Sequence, residues 1–89
     1  MEVTVQQTPN PNALKFIFPR KMFNQPLSFS TVEKAQEHSL AANLFALGSI
    51  YNVFMVQDFI TVNKLPDVPW EEIQTKIQSI IEQYEGNSS

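Results

Sequence analysis

The chain has 89 residues, 43% of them hydrophobic, with six basic and nine acidic side chains, two glycines and no cysteine. At 10.2 kDa it should expose roughly 5,300 Å² when folded, enough burial for one modest core and no second domain, so residues 1–89 read as a single unit. The missing thiols exclude a disulfide framework, a thiolate zinc or iron–sulfur site and a cysteine nucleophile, and a pI near 4.9 excludes a general nucleic-acid or anionic-membrane binder.

Met1 to Gln7 alternates apolar and polar residues, with Val3 and Val5 on one face, and reads as a first strand. Thr8-Pro9-Asn10-Pro11-Asn12 follows as a stiff connection, because each proline fixes its own φ and pushes the preceding residue toward extended backbone. Ala13 to Phe18 sets Leu14, Phe16 and Phe18 on one face and Lys15 on the other, a second strand expected to pair antiparallel with the first. Leu27 to Ser30 alternates over a short stretch after Pro26 and reads as an edge strand.

Thr31 to His38 has room for a helical turn or two. Ser39 is then placed to cap a helix carrying Leu40, Leu44 and Leu47 on one face, with Gly48 free to end it in the left-handed conformation. Ile50 to Val56 and Phe59 to Lys64 form a hairpin candidate around Gln57-Asp58, where the absence of glycine leaves room for a longer or bulged loop. Asp67 and Pro69 open a last helix with Glu71 and Glu72 in its first turn. Trp70, Ile73, Ile77, Ile80, Ile81 and Tyr84 form its apolar stripe, Gly86 is its expected stop, and residues 86–89 are expected to fray. The fold class is therefore α+β: a mainly antiparallel sheet with two helices packed on one face, approximately β-β-(β)-α-β-β-α.

Few residues can carry chemistry. His38 is the only histidine, which excludes a histidine metal cluster, and its place beside a helix start suits an exposed or capping role better than a catalytic triad. The two glycines lie too far apart for a phosphate-cradling loop. Asp58 and Asp67 are explained by a hairpin turn and a helix start without a divalent cation. The aromatic residues belong to the core, since a base-stacking platform needs a positive groove that this composition does not supply. The charge is uneven, however: residues 1–30 carry Lys15, Arg20 and Lys21 against Glu2, whereas the rest is acidic. Asn10, Asn12, Lys15, Arg20 and Lys21 are the candidate binding residues, around a loop that also reads as a rigid link whose amides satisfy local backbone groups. No apolar run approaches the roughly 18 residues of a membrane span, and Met1 to Val5 has no secretion-signal pattern, so a cytoplasmic setting is expected.

The run Thr8-Pro9-Asn10-Pro11-Asn12-Ala13-Leu14-Lys15-Phe16 resembles the signature of the Nfu/NifU-type scaffold N-terminal domain. Ser39-Leu40-Ala41 with Leu44-Phe45, then Gly48, Ile50, Val53-Phe54, Asp58 to Lys64 and Trp70, are similar to the same family's central helix, hairpin and tryptophan. Full-length members carry a second module whose Cys-x-x-Cys pair holds a transferable iron–sulfur cluster. The resemblance implies a free-standing N-terminal domain that holds no cluster, no cofactor and no metal. It implies a non-catalytic adaptor whose partner is a protein of iron–sulfur assembly or one of its clients. No nucleophile–base pair presents itself, so no enzyme activity is expected. A second reading is a small phosphate-directed or phosphopeptide-binding domain using the basic residues near the Pro/Asn loop.

Overall fold

A computed structural model describes residues 3–87. The strands are β1 (Thr4–Gln7), β2 (Ala13–Ile17), β3 (Phe23–Phe29), β4 (Ile50–Gln57) and β5 (Phe59–Lys64); the helices are α1 (Val32–Ala35), α2 (Ser39–Phe45) and α3 (Trp70–Asn87). The chain forms one five-stranded sheet in the order β1-β2-β5-β4-β3, and every neighbouring pair is antiparallel. The architecture is α+β as expected, with a short α1 added to the two expected helices. Its accessible surface, 5357 Å², matches the value expected for one small core.

Alternation decides which face is buried. Leu14 and Phe16 on β2, Ile60 and Val62 on β5, and Val53 and Met55 on β4 all point to the helical side, where they meet Leu40 and Leu44 of α2 and Ile73, Ile77 and Ile81 of α3. These residues share one register: Phe16 lies opposite Ile60, and Ile60 opposite Met55. The stripe on α3 is therefore core on its central side, while Trp70, Ile80 and Tyr84 pack partly buried at its margins. Among the described residues no element covers the opposite face of the sheet. There Ile17, Phe54, Val56 and Phe59 are half-buried.

The differences from the sequence reading are local. Strand β3 begins at Phe23 rather than Leu27, because a register shift between Phe23 and Leu27 lets the strand carry Pro26 at the sheet edge without breaking a ladder bond. The cap of α2 is His38 rather than Ser39, its Nδ1 accepting the Leu40 N–H at 3.3 Å. The β4–β5 turn is tight: Val56 pairs with Phe59, and Gln57 takes the left-handed conformation with φ 53°. Gly48 adopts φ +79° after α2, as its position requires. Helix α3 runs on through Gly86 to Asn87, past the expected stop; Met1, Glu2, Ser88 and Ser89 lie outside the described residues.

Candidate functional site

The Pro/Asn connection is bent and braced by its own polar groups. The Asn12 N–H donates to Asn10 Oδ1 at 2.9 Å, and the Ala13 N–H donates to the Asn10 carbonyl at 3.0 Å. The Thr8 hydroxyl lies 2.9 Å from the Asn10 carbonyl and 3.0 Å from that of Ala13, and it accepts the Asn10 N–H. Such an Asx turn next to two prolines gives a loop with little conformational freedom left to lose.

Two residues far away in sequence fasten this loop to the body of the domain. The Trp70 indole N–H donates to the Pro11 carbonyl at 2.9 Å. The Lys64 backbone N–H donates to the Asn12 carbonyl at 2.9 Å, and the Lys64 ammonium donates to Asn12 Oδ1 at 3.0 Å and to the Leu65 carbonyl at 3.3 Å. The ammonium also lies 5.5 Å from the centroid of the Trp70 ring, a cation–π distance. Lys64 is only 6% exposed, the one buried polar residue among those described. It ends the Ile60, Val62, Lys64 alternation, and so falls on the helical face of the sheet where Trp70 covers it.

The braced loop is a ridge between two clefts. One, about 310 Å³, is bounded by Thr8, Pro9, Pro11, Leu14 and Trp70. The other, about 300 Å³, is bounded by Asn10, Asn12, Asn63, Lys64, Leu65 and Tyr51. Tyr51 reaches this second cleft because β4 carries one extra residue where Ile50 pairs with Lys64 and Asn52 with Asn63. That irregularity turns its side chain outward, leaving it 60% exposed.

Of the candidate residues, Asn10 and Asn12 lie together on the ridge. Lys15 projects from the open face of the sheet, its ammonium 4.1 Å from the centroid of the Phe59 ring. Arg20 and Lys21 lie past the far end of β2, in an exposed connection held to the hairpin turn by Phe18 N–H to the Asp58 carbonyl and Met22 N–H to the Gln57 carbonyl, at 2.7 and 2.8 Å. A five-residue strand spans about 17 Å, so the fold places the asparagines and this cationic pair at opposite ends of β2.

His38 caps α2 half-buried, with its ring 6.3 Å from Phe23, 6.0 Å from Phe29 and 5.7 Å from Tyr84 by centroids. Burial pushes its pKa below the ordinary imidazole value. Its Nδ1 is already an acceptor for the helix, which makes it a structural group. Among the described residues no three His, Asp or Glu side chains are grouped to hold a metal ion.

Sequence reasoning missed Lys64, Tyr51 and the clasp made by Trp70. The available signal for Lys64 was its position at the end of an inward alternation, where a charged residue is out of place.

The family model described as scaffold protein Nfu/NifU N terminal matches residues 3–87. The chain belongs to this family. It is 35% identical over 83 residues to a human mitochondrial protein named NFU1 iron-sulfur cluster scaffold homolog, covering 91% of this chain and 33% of the relative. It is 34% identical over 79 residues to NifU-like protein 4, mitochondrial, of Arabidopsis thaliana, covering 86% of this chain and 28% of that protein. The chain thus spans a third or less of these curated relatives. The solution structure of a NifU-like protein from Saccharomyces cerevisiae shares the fold with a TM-score of 0.80 at 22% identity, over 92% of this chain and 76% of that one. No described helix is long and apolar enough to cross a membrane.

Proposed function

We propose that this domain is a non-catalytic protein-binding module of iron–sulfur cluster assembly or delivery, acting on proteins that carry the cluster rather than holding one itself. Family membership supports the association with cluster scaffolding, and the absence of cysteine from the 89 residues leaves no thiolate to ligate a cluster. The observation that carries the binding role is the bracing of the Pro/Asn loop by Trp70 and Lys64. Folding alone needs only a connection between β1 and β2. A loop fixed by two long-range side-chain clasps is instead a preorganised surface, which lowers the entropy lost when a partner docks. In this reading the cluster is cargo on the partner, the partner is a protein, and the cytoplasmic setting expected from the sequence is part of the proposal.

Two measurements test it together. Anaerobic reconstitution with iron and sulfide should leave the purified chain colourless. Affinity capture from an anaerobic native lysate should enrich cysteine-bearing assembly proteins or cluster-accepting clients. A stable chromophore on the chain in stoichiometric amount, or a captured set without such proteins, contradicts the reading.

A further inference from the structure

Lys64 is an unusual cation. Only 6% of the residue is exposed, yet both of its hydrogen-bond acceptors, Asn12 Oδ1 and the Leu65 carbonyl, are neutral. An ammonium has three N–H donors, so one remains after these two bonds. No described carboxylate is among its partners, and its other compensation is the Trp70 face at 5.5 Å. Buried charges are ordinarily paired with an opposite charge, because desolvation costs several kcal/mol per ion. The cleft beside it is bounded by Asn10, Asn12 and Asn63, with Tyr51, Leu65 and Pro66 as its apolar part. Tyr51 and Leu65 are two of the three large hydrophobic residues exposed on the described surface, at 60% and 37%.

We propose that this cleft receives a carboxylate side chain on a segment of a partner protein, with Lys64 supplying the positive charge and the asparagine amides the neutral donors. An adjoining apolar residue of the same segment packs on Tyr51 and Leu65. Charge complementarity selects the occupant: one buried cation with only neutral acceptors matches one negative charge. A phosphoryl group carries nearly two charges and three acceptor oxygens, and is met by several cations or a helix N-terminus. The nearby start of α3 carries Glu71 and Glu72, which disfavour the higher charge. The pairing of an exposed aromatic anchor with a desolvated charge is that of an interface centre rather than of an enclosed metabolite site. This inference rests on the reading of the domain as a protein-binding module and gives that module a recognition chemistry.

The test is a titration of the ¹⁵N-labelled chain with acetyl-Leu-Glu-Leu-amide, with the Leu-Gln-Leu counterpart, with sodium acetate and with inorganic phosphate. The glutamate peptide should move the Asn12 and Asn63 side-chain amides and the Trp70 indole N–H saturably, and the glutamine peptide should bind roughly tenfold more weakly or worse. Acetate should act at the same amides but more weakly than the peptide, since it lacks the apolar contacts. Lys64→Met should abolish the discrimination between glutamate and glutamine, and Tyr51→Ala, a change at an exposed position that leaves the fold intact, should weaken the peptide without changing acetate. Equal binding of the two peptides, no saturable shift at these amides, or stronger binding of phosphate than of the glutamate peptide overturns the proposal. The titration needs no iron–sulfur protein. Its failure beside a successful capture removes the carboxylate site and leaves the module reading in place.

Discussion

Lys64 and Asn12, 52 positions apart, are joined twice: backbone N–H to carbonyl at 2.9 Å and ammonium to side-chain oxygen at 3.0 Å. The first bond is ordinary sheet chemistry continued past the end of β2. The second places a charge in the core, where it clasps the Pro/Asn loop with two neutral acceptors. Asn12→Ala should therefore cost about 1–3 kcal/mol, because it leaves the buried ammonium with only the Leu65 carbonyl. Lys64→Met should be neutral or stabilising, since an apolar side chain of similar volume removes the desolvation penalty. Urea denaturation of both variants checks this; a large loss on Lys64→Met and none on Asn12→Ala would assign the cation a purely structural role.

Ile77 is fully buried at the centre of the α3 stripe. Ile77→Ala should cost about 2–5 kcal/mol, a large part of the roughly 5–15 kcal/mol available to a small domain. The thermal midpoint of the variant measures this directly, and a midpoint equal to that of the parent would show that the stripe does not face the sheet.

Much of this was legible in the sequence, and the exceptions have physical causes. Alternation in β2 and β5 and the helical period of α3 report burial directly, so those elements were found, with β2 ending at Ile17 rather than Phe18; β1 is described only from Thr4. Strand β3 was read four residues short because Pro26 and a register shift interrupt the alternation between Phe23 and Leu27. The cap of α2 moved by one residue because the His38 imidazole offers the same acceptor as a serine hydroxyl and is already held by Phe23, Phe29 and Tyr84. Asn10 and Asn12 were legible from turn chemistry. Their anchors were not, since Lys64 and Trp70 reach the loop only through the pairing of β2 with β5 and the start of α3, which no local pattern encodes.

Gln57 occupies the left-handed region at φ 53° in the β4–β5 turn, where a residue with a Cβ carries about 1–2 kcal/mol of strain. Gln57→Gly relieves that strain and adds about 0.5–1 kcal/mol of backbone entropy cost, for an expected net gain of up to about 1.5 kcal/mol. A rise in the urea midpoint at unchanged m-value is the expected result. A fall would mean that the bonds from Met22 and Phe18 to this turn depend on the glutamine side chain.

His38 links stability to pH. Its pKa in the folded protein lies below the ordinary value because burial disfavours the charged ring, so the unfolded chain takes up a proton more readily. The His38 contribution therefore falls as pH drops from the ordinary imidazole range toward the lower folded value, and is complete above that range. Protonation also removes the Nδ1 acceptor that caps α2. Thermal midpoints between about pH 8 and about pH 5 should decline more steeply for the parent than for His38→Asn, which caps without titrating in this range. Parallel declines would remove His38 from the linkage.

The central claim is that the domain meets its partner through the clasped Pro/Asn ridge and not through the open face of the sheet. The measurement that tests it most directly is chemical-shift mapping of the ¹⁵N-labelled chain on addition of a purified partner obtained by capture. The largest changes are expected at Asn10, Asn12, Tyr51, Lys64 and the Trp70 indole. Changes centred instead on Lys15, Ile17, Phe54 and Phe59 would contradict it and transfer the interface to the opposite side of the sheet.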